Sequence, residues 1–453
     1  MFNAIARVFK TPDLRNKILF TLGIIVIYRL GTTIPAPFVN FVNVQECIAG
    51  VGLDGSANLL NMLNMFSGGA LLQLSIFALG IMPYITASII IQLLRVVIPR
   101  FETLHKEGQS GQQTLTQYTR YLTIALALLQ STTLLTMART GALFGGNQSA
   151  ACRGVVSLVP EAGAGDVATN VVRMLLIVGT LTAGTAVIMW FGELITERGI
   201  GNGMSLLIFT SICASFPQAM WSLMSGAGGA FTFSIITVLA FGILVAVVFV
   251  EQSQRRIPVQ YAKRMVGRRT YGGQSTYIPI KVNQAGVIPV IFSSSILMLP
   301  AIVAQFAQPA PGQQPAEWVV WVQNNLISGN SPFYMVAYFL LTIAFAYFYV
   351  FIAFNPDDVA ENMRQQGGFI PGVRAGQPTA DYLTYVLNRI TFPGSIYLGI
   401  IAMLPLIALA TVGANQNFPF GGASILILVG VGLETMRQID AQLQQREYEG
   451  LLR

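Results

Sequence analysis

Apolar residues in this chain come in long, nearly unbroken runs, with most charges gathered between them. Ten runs approach the ~20 mostly apolar residues that a membrane-crossing helix needs. They lie at about 18–34, 74–98, 121–138, 171–191, 204–224, 230–250, 284–306, 332–354, 390–412 and 419–436. The run 332–354 holds no charge, whereas the last holds Glu434 near its end. Glycine and proline inside such runs are tolerable in a bilayer, because neighbouring helices re-satisfy the freed backbone groups. The predicted fold class is an all-α polytopic membrane protein with ten transmembrane helices. Ten spans split into halves of five, 18–224 and 225–436, followed by a tail, 437–453. Five spans per half would give the halves opposite topology, the inverted-repeat layout common in transport proteins. That expectation rests on the span count, since no sequence repeat is visible.

Two segments depart from the pattern. Residues 1–17 read as a short amphipathic helix ahead of the first span; no small-residue cleavage site follows the apolar run, so no signal peptide is expected. Residues 57–73 have helical periodicity but are too polar and too short to span. A half-helix of that kind must lie in the interface or fold back into a protein-lined cavity.

Composition agrees with the pattern. The chain has 453 residues, 53% of them hydrophobic and 10% charged, and a mean hydropathy of +0.61. Ordinary soluble proteins are about 25% charged. Such a balance excludes a soluble enzyme, a secreted disulfide scaffold and a disordered chain. The net charge is +7, from 26 basic and 19 acidic residues. Arg139, Arg153 and Arg173 fall on one side of the predicted membrane and Arg29 within the first span. Every other Lys and Arg falls on the side of the two termini. The positive-inside rule then places both termini in the cytoplasm.

The chemistry on offer is narrow. Cys47, Cys152 and Cys213 are too scattered for a disulfide framework or a metal site. The single histidine, His105, reads as a solvated loop residue and leaves no basis for a Ser-His-Asp arrangement. No GxSxG, HExxH or Walker A string occurs, and the glycine-rich run 199–203 reads as a tight turn between spans. No catalytic residue, metal or cofactor is expected. Proton-coupled transport is disfavoured, because the mid-membrane is nearly free of ionisable residues. Arg29, Arg173, Glu193 and Glu434 lie near span ends, where long side chains can snorkel. The polar content of the spans is neutral instead: Thr86, Ser88, Gln92, Asn283, Gln284, Ser293, Ser294 and Ser295. These fit either interhelical hydrogen bonding or a wettable path. The loop 251–282 carries seven basic residues, one acid and three tyrosines. It fits a phosphate-backbone partner; the other reading, a topology-setting charge bound to anionic lipid, is less favoured because seven charges exceed what orientation needs.

Several strings then resemble one family. GIMPYITASIIIQLL at 80–94 and WFGELITERGIGNG at 190–203 resemble the two signatures of the SecY family, the channel subunits of bacterial protein translocases. QRRIPVQYAKR at 254–264, NQAGVIP at 283–289, FNP at 354–356 and PGVR at 371–374 are similar to further motifs of that family. The likeness runs from about residue 10 to 445. Met204 stands where members commonly have isoleucine, and Ala375 where many have proline.

The resemblance implies two five-helix halves clamped around a central pore. Residues 57–73 would be a plug, with Asn61, Asn64, Met65, Phe66, Ser67, Gly68 and Gly69 in its motif. Spans 2 and 7 would form a lateral gate, lined by Thr86, Ser88, Gln92, Asn283, Gln284 and Ser293. The pore ring maps onto Ile81, Ile85, Met204, Ile208, Ile291 and Ile427. The pairs Ile81/Ile85 and Met204/Ile208 are spaced i, i+4 and so share a helical face. A ring of apolar side chains can seal by dewetting, and methionine adapts to an irregular passing chain. The resemblance also implies that the ribosome or the SecA ATPase supplies the push. Ribosomal RNA at the tunnel exit would meet Arg255, Arg256, Lys263, Arg264, Arg268 and Arg269, and SecA would meet Arg374. SecE, SecG, signal sequences, nascent membrane proteins and anionic lipids are the other implied partners. The implied function is translocation of unfolded preproteins across the bacterial plasma membrane, with lateral release of membrane segments. The other reading is a ten-span secondary transporter of small solutes.

Overall fold

Each of the ten apolar runs contributes a helix among the described residues, the shortest of them Met82–Val97. The coordinates are a computed structural model that describes residues 11–40, 44, 64, 67–140, 167–225, 229–261, 264–266, 269–271, 275–306, 316–327, 331–412 and 422–451. The first half contributes α1 (Pro12–Thr33), α2 (Met82–Val97), the short α3 (Pro99–Lys106), α4 (Gln109–Thr140), α5 (Val167–Arg198) and α6 (Gly203–Ser225). The second half contributes α7 (Gly229–Gln252), strands β1 (Gln254–Tyr261), β2 (Arg264–Val266), β3 (Arg269–Tyr271) and β4 (Ser275–Lys281), then α8 (Ile288–Phe306) and the short α9 (Glu317–Val322). It closes with α10 (Pro332–Ala353), α11 (Pro356–Gln365), β5 (Gly368–Phe369), α12 (Gln377–Val412) and α13 (Gly422–Leu451). Among the described residues, α5, α10 and α12 are each long and apolar enough to cross a membrane unaided, and α2 with α3 forms a bent fourth. Shorter apolar stretches lie in α6, α7 and α8.

The helices are apolar on both inner and outer faces, as a bilayer allows. Leu30, Val238 and Phe249 are among the large apolar side chains left exposed on the outside. Val247, which a lipid-facing reading of 230–250 would expose, is fully buried. Within each half, α4 packs on α2 and α5, and α10 packs on α8 and α12. The halves meet along two seams: α6 against α7 and α13 on one side, α2 against α8 on the other.

Three stretches differ from the hydropathy reading. The apolar run 74–98 is helical only from Met82. Residues 67–81 form successive turns, with Leu74 at φ 48°. Their backbone is satisfied locally: Ala36 N–H donates to the Leu74 carbonyl at 3.0 Å, and Ile76 N–H to the Ile34 carbonyl at 3.0 Å. Ala70, Ser75 and Ala78 are buried. Irregular backbone at membrane depth is tolerated when protein covers it in this way. The tail also differs, because α13 runs on past residue 436 to Leu451. The third difference is the loop 251–282, which folds as strands. β1 pairs antiparallel with β4, from Gln254↔Lys281 to Gln260↔Ser275, and β5 adds to the other edge of β1. Ile257 and Val259 are buried while Arg255, Arg256, Pro258 and Gln260 are exposed, the period-2 pattern of a half-covered strand.

Candidate functional site

The six ring residues come from four helices and both halves. Ile81 sits at the start of α2 and Ile85 on it, Met204 and Ile208 on α6, Ile291 on α8 and Ile427 on α13. Ile81, Ile208, Ile291 and Ile427 are buried in one continuous apolar core, and Ile85 and Met204 pack against it. A Cβ at Gly192 would collide with the Met204 sulfur, so α5 leaves room for methionine at this place.

Of the plug motif, Asn64, Ser67, Gly68 and Gly69 fall within the described residues, and Asn61, Met65 and Phe66 lie outside them. Gly68 and Gly69 both take positive φ, 68° and 90°.

The gate residues divide into two groups. Ser88 and Gln92 of α2 line a cavity of about 1050 Å³ between α2–α4 and α10–α11, together with Arg95, His105, Tyr349 and Asp358. Burial, and then the nearby Arg95, hold the His105 imidazole below its usual pKa. Thr86 donates to the Met82 carbonyl of its own helix at 3.0 Å. Asn283 and Ser293 turn inward, within the second half. Asn283 Nδ2 donates to Glu251 Oε1 at 2.5 Å and to the Gly286 carbonyl at 3.3 Å. Ser293 Oγ accepts from Thr342 of α10 at 3.2 Å. Asn283 and Ser293 therefore brace the base and flank of α8. Gln284 Oε1 is buried without a partner among the described residues.

Arg95 carries a direct polar link between the halves that no motif pointed to. Its Nη2 donates at 3.3 Å to the Ile352 carbonyl, in the last turn of α10. That carbonyl lacks a helical partner, and a cation there also meets the negative end of the helix dipole. Arg95→Ala is expected to loosen the α2 side of the seam by ~0.5–1.5 kcal/mol. The measurement is the rate of disulfide formation between cysteines placed on α2 and α8. The expected result is slower capture of the closed seam than in the parent; an unchanged rate would remove Arg95 from the seam.

Glu193, expected to snorkel from a span end, is paired. Arg120 Nε and Nη2 donate to its two carboxylate oxygens, each at 2.8 Å, and tie α4 to α5. Such bidentate pairs fix geometry as well as charge.

The basic loops converge at one end of the bundle. Arg255 and Arg256 are exposed on β1, and the Arg256 guanidinium lies 4.8 Å from the Tyr277 ring centroid. Arg264 and Arg269 sit on the β2–β3 hairpin, and Lys263 and Arg268 lie outside the described residues. The second loop reaches the first through β5, which pairs Phe369 with Gln260 and Gly368 with Tyr261. Five residues further on, Arg374 is exposed in the turn 370–376. Its carbonyl accepts from Thr379 Oγ1 at 2.8 Å.

Ten helices in two halves, with large apolar side chains both buried and exposed and a shared apolar core, are the architecture of a polytopic membrane protein. The family model described as SecY matches residues 75–436. The protein translocase subunit SecY of Streptomyces scabiei is 60% identical over 456 residues, covering all of both chains. The chain belongs to the SecY family, the channel subunits of protein translocases. Two solved channels share the fold. One, described as showing that the SecY plug domain stabilises the closed state and maintains a membrane seal, has a TM-score of 0.58 at 17% identity, over 93% of this chain and 91% of that one. The other, a channel from a canine ribosome–channel complex of the endoplasmic reticulum, has a TM-score of 0.54 at 16% identity, over the same shares. The ten-span solute transporter finds no support in these comparisons.

Proposed function

We propose that this protein-conducting channel passes unfolded preproteins through the ring of Ile81, Ile85, Met204, Ile208, Ile291 and Ile427, and releases membrane segments through the α2–α8 seam. The observation that carries this reading is that four of those residues, from both halves, lie in a single apolar core and that Ile85 and Met204 pack against it. The segment 57–73 acts as the plug. Thr86, Ser88, Gln92, Asn283, Gln284 and Ser293 lie along or brace the gate. The channel sits in the bacterial plasma membrane with both termini in the cytoplasm, where SecA or the translating ribosome supplies the push. SecE and SecG are its partners within the membrane, and anionic lipids surround its basic edge.

The joined loops form the docking platform for the motors. The β4–β1–β5 sheet carries Arg255 and Arg256 on β1, and the turn with Arg374 follows five residues after β5. Arg268 and Arg269 contact ribosomal RNA. Neutralising phosphates releases counterions, so affinity falls steeply with salt. Replacing Arg268 and Arg269 with Glu is expected to weaken ribosome binding and to reduce the salt slope by about two phosphate contacts. Binding titrations of the reconstituted channel at two salt concentrations test this. An unchanged affinity and slope would assign these charges to lipid instead.

A further inference from the structure

Arg29 lies within the first span, where an ionisable residue marks a functional site by default. It does not reach for the membrane surface. Its Nη1 donates to the Gly68 carbonyl at 2.6 Å and lies 3.4 Å from Thr32 Oγ1. The helix around it is fixed on its inner side. Tyr28 stacks on Phe77, ring centroids 5.9 Å apart, and shares a 2.7 Å hydrogen bond with Ser211 of α6.

The Gly68 carbonyl belongs to a turn built like a helix C-terminus. Gly69 N–H donates to the Asn64 carbonyl at 2.8 Å, the 6→1 bond of a Schellman closure, and Gly68 supplies the left-handed φ that this closure needs. Ser67 Oγ donates to the Asn64 carbonyl and accepts from Leu71 N–H; Asn64 Oδ1 accepts from Leu72 N–H. A cation at such a terminus meets the negative end of the dipole. A Cβ at Gly68 would stand 3.0 Å from Arg29 Nη1 and 3.3 Å from Ser211 Cα, so the turn is wedged between α1 and α6.

We propose that Arg29 is a positioning residue that latches the C-terminal turn of the plug and biases the channel towards its sealed state. This rests on the reading of 57–73 as the plug. The logic is that of an acceptor exchanged for water. In the dry, sealed channel the guanidinium has the Gly68 carbonyl as its acceptor. Displacing the plug removes that acceptor and leaves the guanidinium with the longer Thr32 contact until a wetted pore supplies water. Arg29 therefore opposes partial, unwetted openings while remaining compatible with the open channel.

The test uses the full translocase complex in proteoliposomes, reading resting ion conductance and export of a preprotein with a defective signal sequence. Arg29→Gln keeps a donor and removes the charge. It is expected to raise resting conductance by roughly tenfold, as loss of a charge-assisted bond does, and to export the defective preprotein. Arg29→Lys, which keeps a cationic donor, is expected to restore most of the seal. Gly68→Ala, which leaves Arg29 in place but strains the turn, is expected to leak. Ile427→Asn, measured alongside, reports on the channel reading itself. If Ile427→Asn leaks while Arg29→Gln and Gly68→Ala stay sealed, the latch is wrong and the channel reading stands. If none of the three leaks, the ring and plug assignments fail and the latch with them. Should Arg29→Gln not assemble, Gly68→Ala decides: a leak supports the latch and a tight seal overturns it.

Discussion

Arg374→Glu is expected to abolish SecA-driven export while sparing most insertion of ribosome-delivered membrane proteins. The turn that carries Arg374 is pinned at both ends. Val373 N–H donates to the Ile370 carbonyl at 3.0 Å, and Thr379 Oγ1 holds the Arg374 carbonyl. Gly372 and Gly376 adopt φ of 87° and 104°, which lets the chain reverse tightly on either side of the arginine. The result is an exposed guanidinium on a fixed tip, five residues beyond the strand that pairs with β1. Guanidinium offers a planar fork of five donors that lysine lacks, and arginine is enriched among the few residues that dominate interfaces. Arg374→Lys should therefore recover export only in part, with a deficit of about tenfold or more. The measurement is preprotein import into vesicles alongside co-translational insertion of a polytopic substrate. Equal loss of both activities, or full activity with lysine, would make Arg374 a structural or topological charge.

Ile427→Asn carries the second large effect. Ile427 is 2% exposed within the shared apolar core. An amide placed there without a partner costs ~1–3 kcal/mol in the sealed state, which shifts the closed-to-open ratio by about 5- to 150-fold. Wetting the ring relieves that cost, so the variant should leak ions and pass preproteins with defective signals. The control is Val238→Asn, because Val238 is 74% exposed on the outer surface of α7. Similar behaviour of the two variants would remove Ile427 from the ring.

Hydropathy was enough to locate the ten long helices, since a bilayer demands a continuous apolar run and little else produces one. It could not see that 74–81 is apolar but not helical, because burial in protein and burial in lipid select the same residue types. The hairpin at 254–281 was legible in principle. Ile257 and Val259 alternate with polar residues, but the dense positive charge and a proline at 258 drew attention to partners rather than to strand period. The ring and the docking residues were named through family motifs, since isoleucine on a membrane helix has no periodic signature separating pore from core. The polar links were illegible for a different reason. Arg29 with Gly68, Arg95 with Ile352 and Glu251 with Asn283 join residues 32 to 257 positions apart. Only packing brings such partners together, and two of these acceptors are backbone carbonyls that no residue type announces.

The central claim is that a secretory chain passes through the ring. The direct measurement is a disulfide trap. A stalled secretory chain with one cysteine in its mature part meets channels in which Cys47, Cys152 and Cys213 are serine and a single cysteine replaces Ile85, Ile427 or Val238. Efficient capture is expected at 85 and 427, only with the stalled chain engaged, and none at 238. Capture at 238 equal to that at the ring positions, or no capture at either ring position by an engaged chain, would contradict the claim.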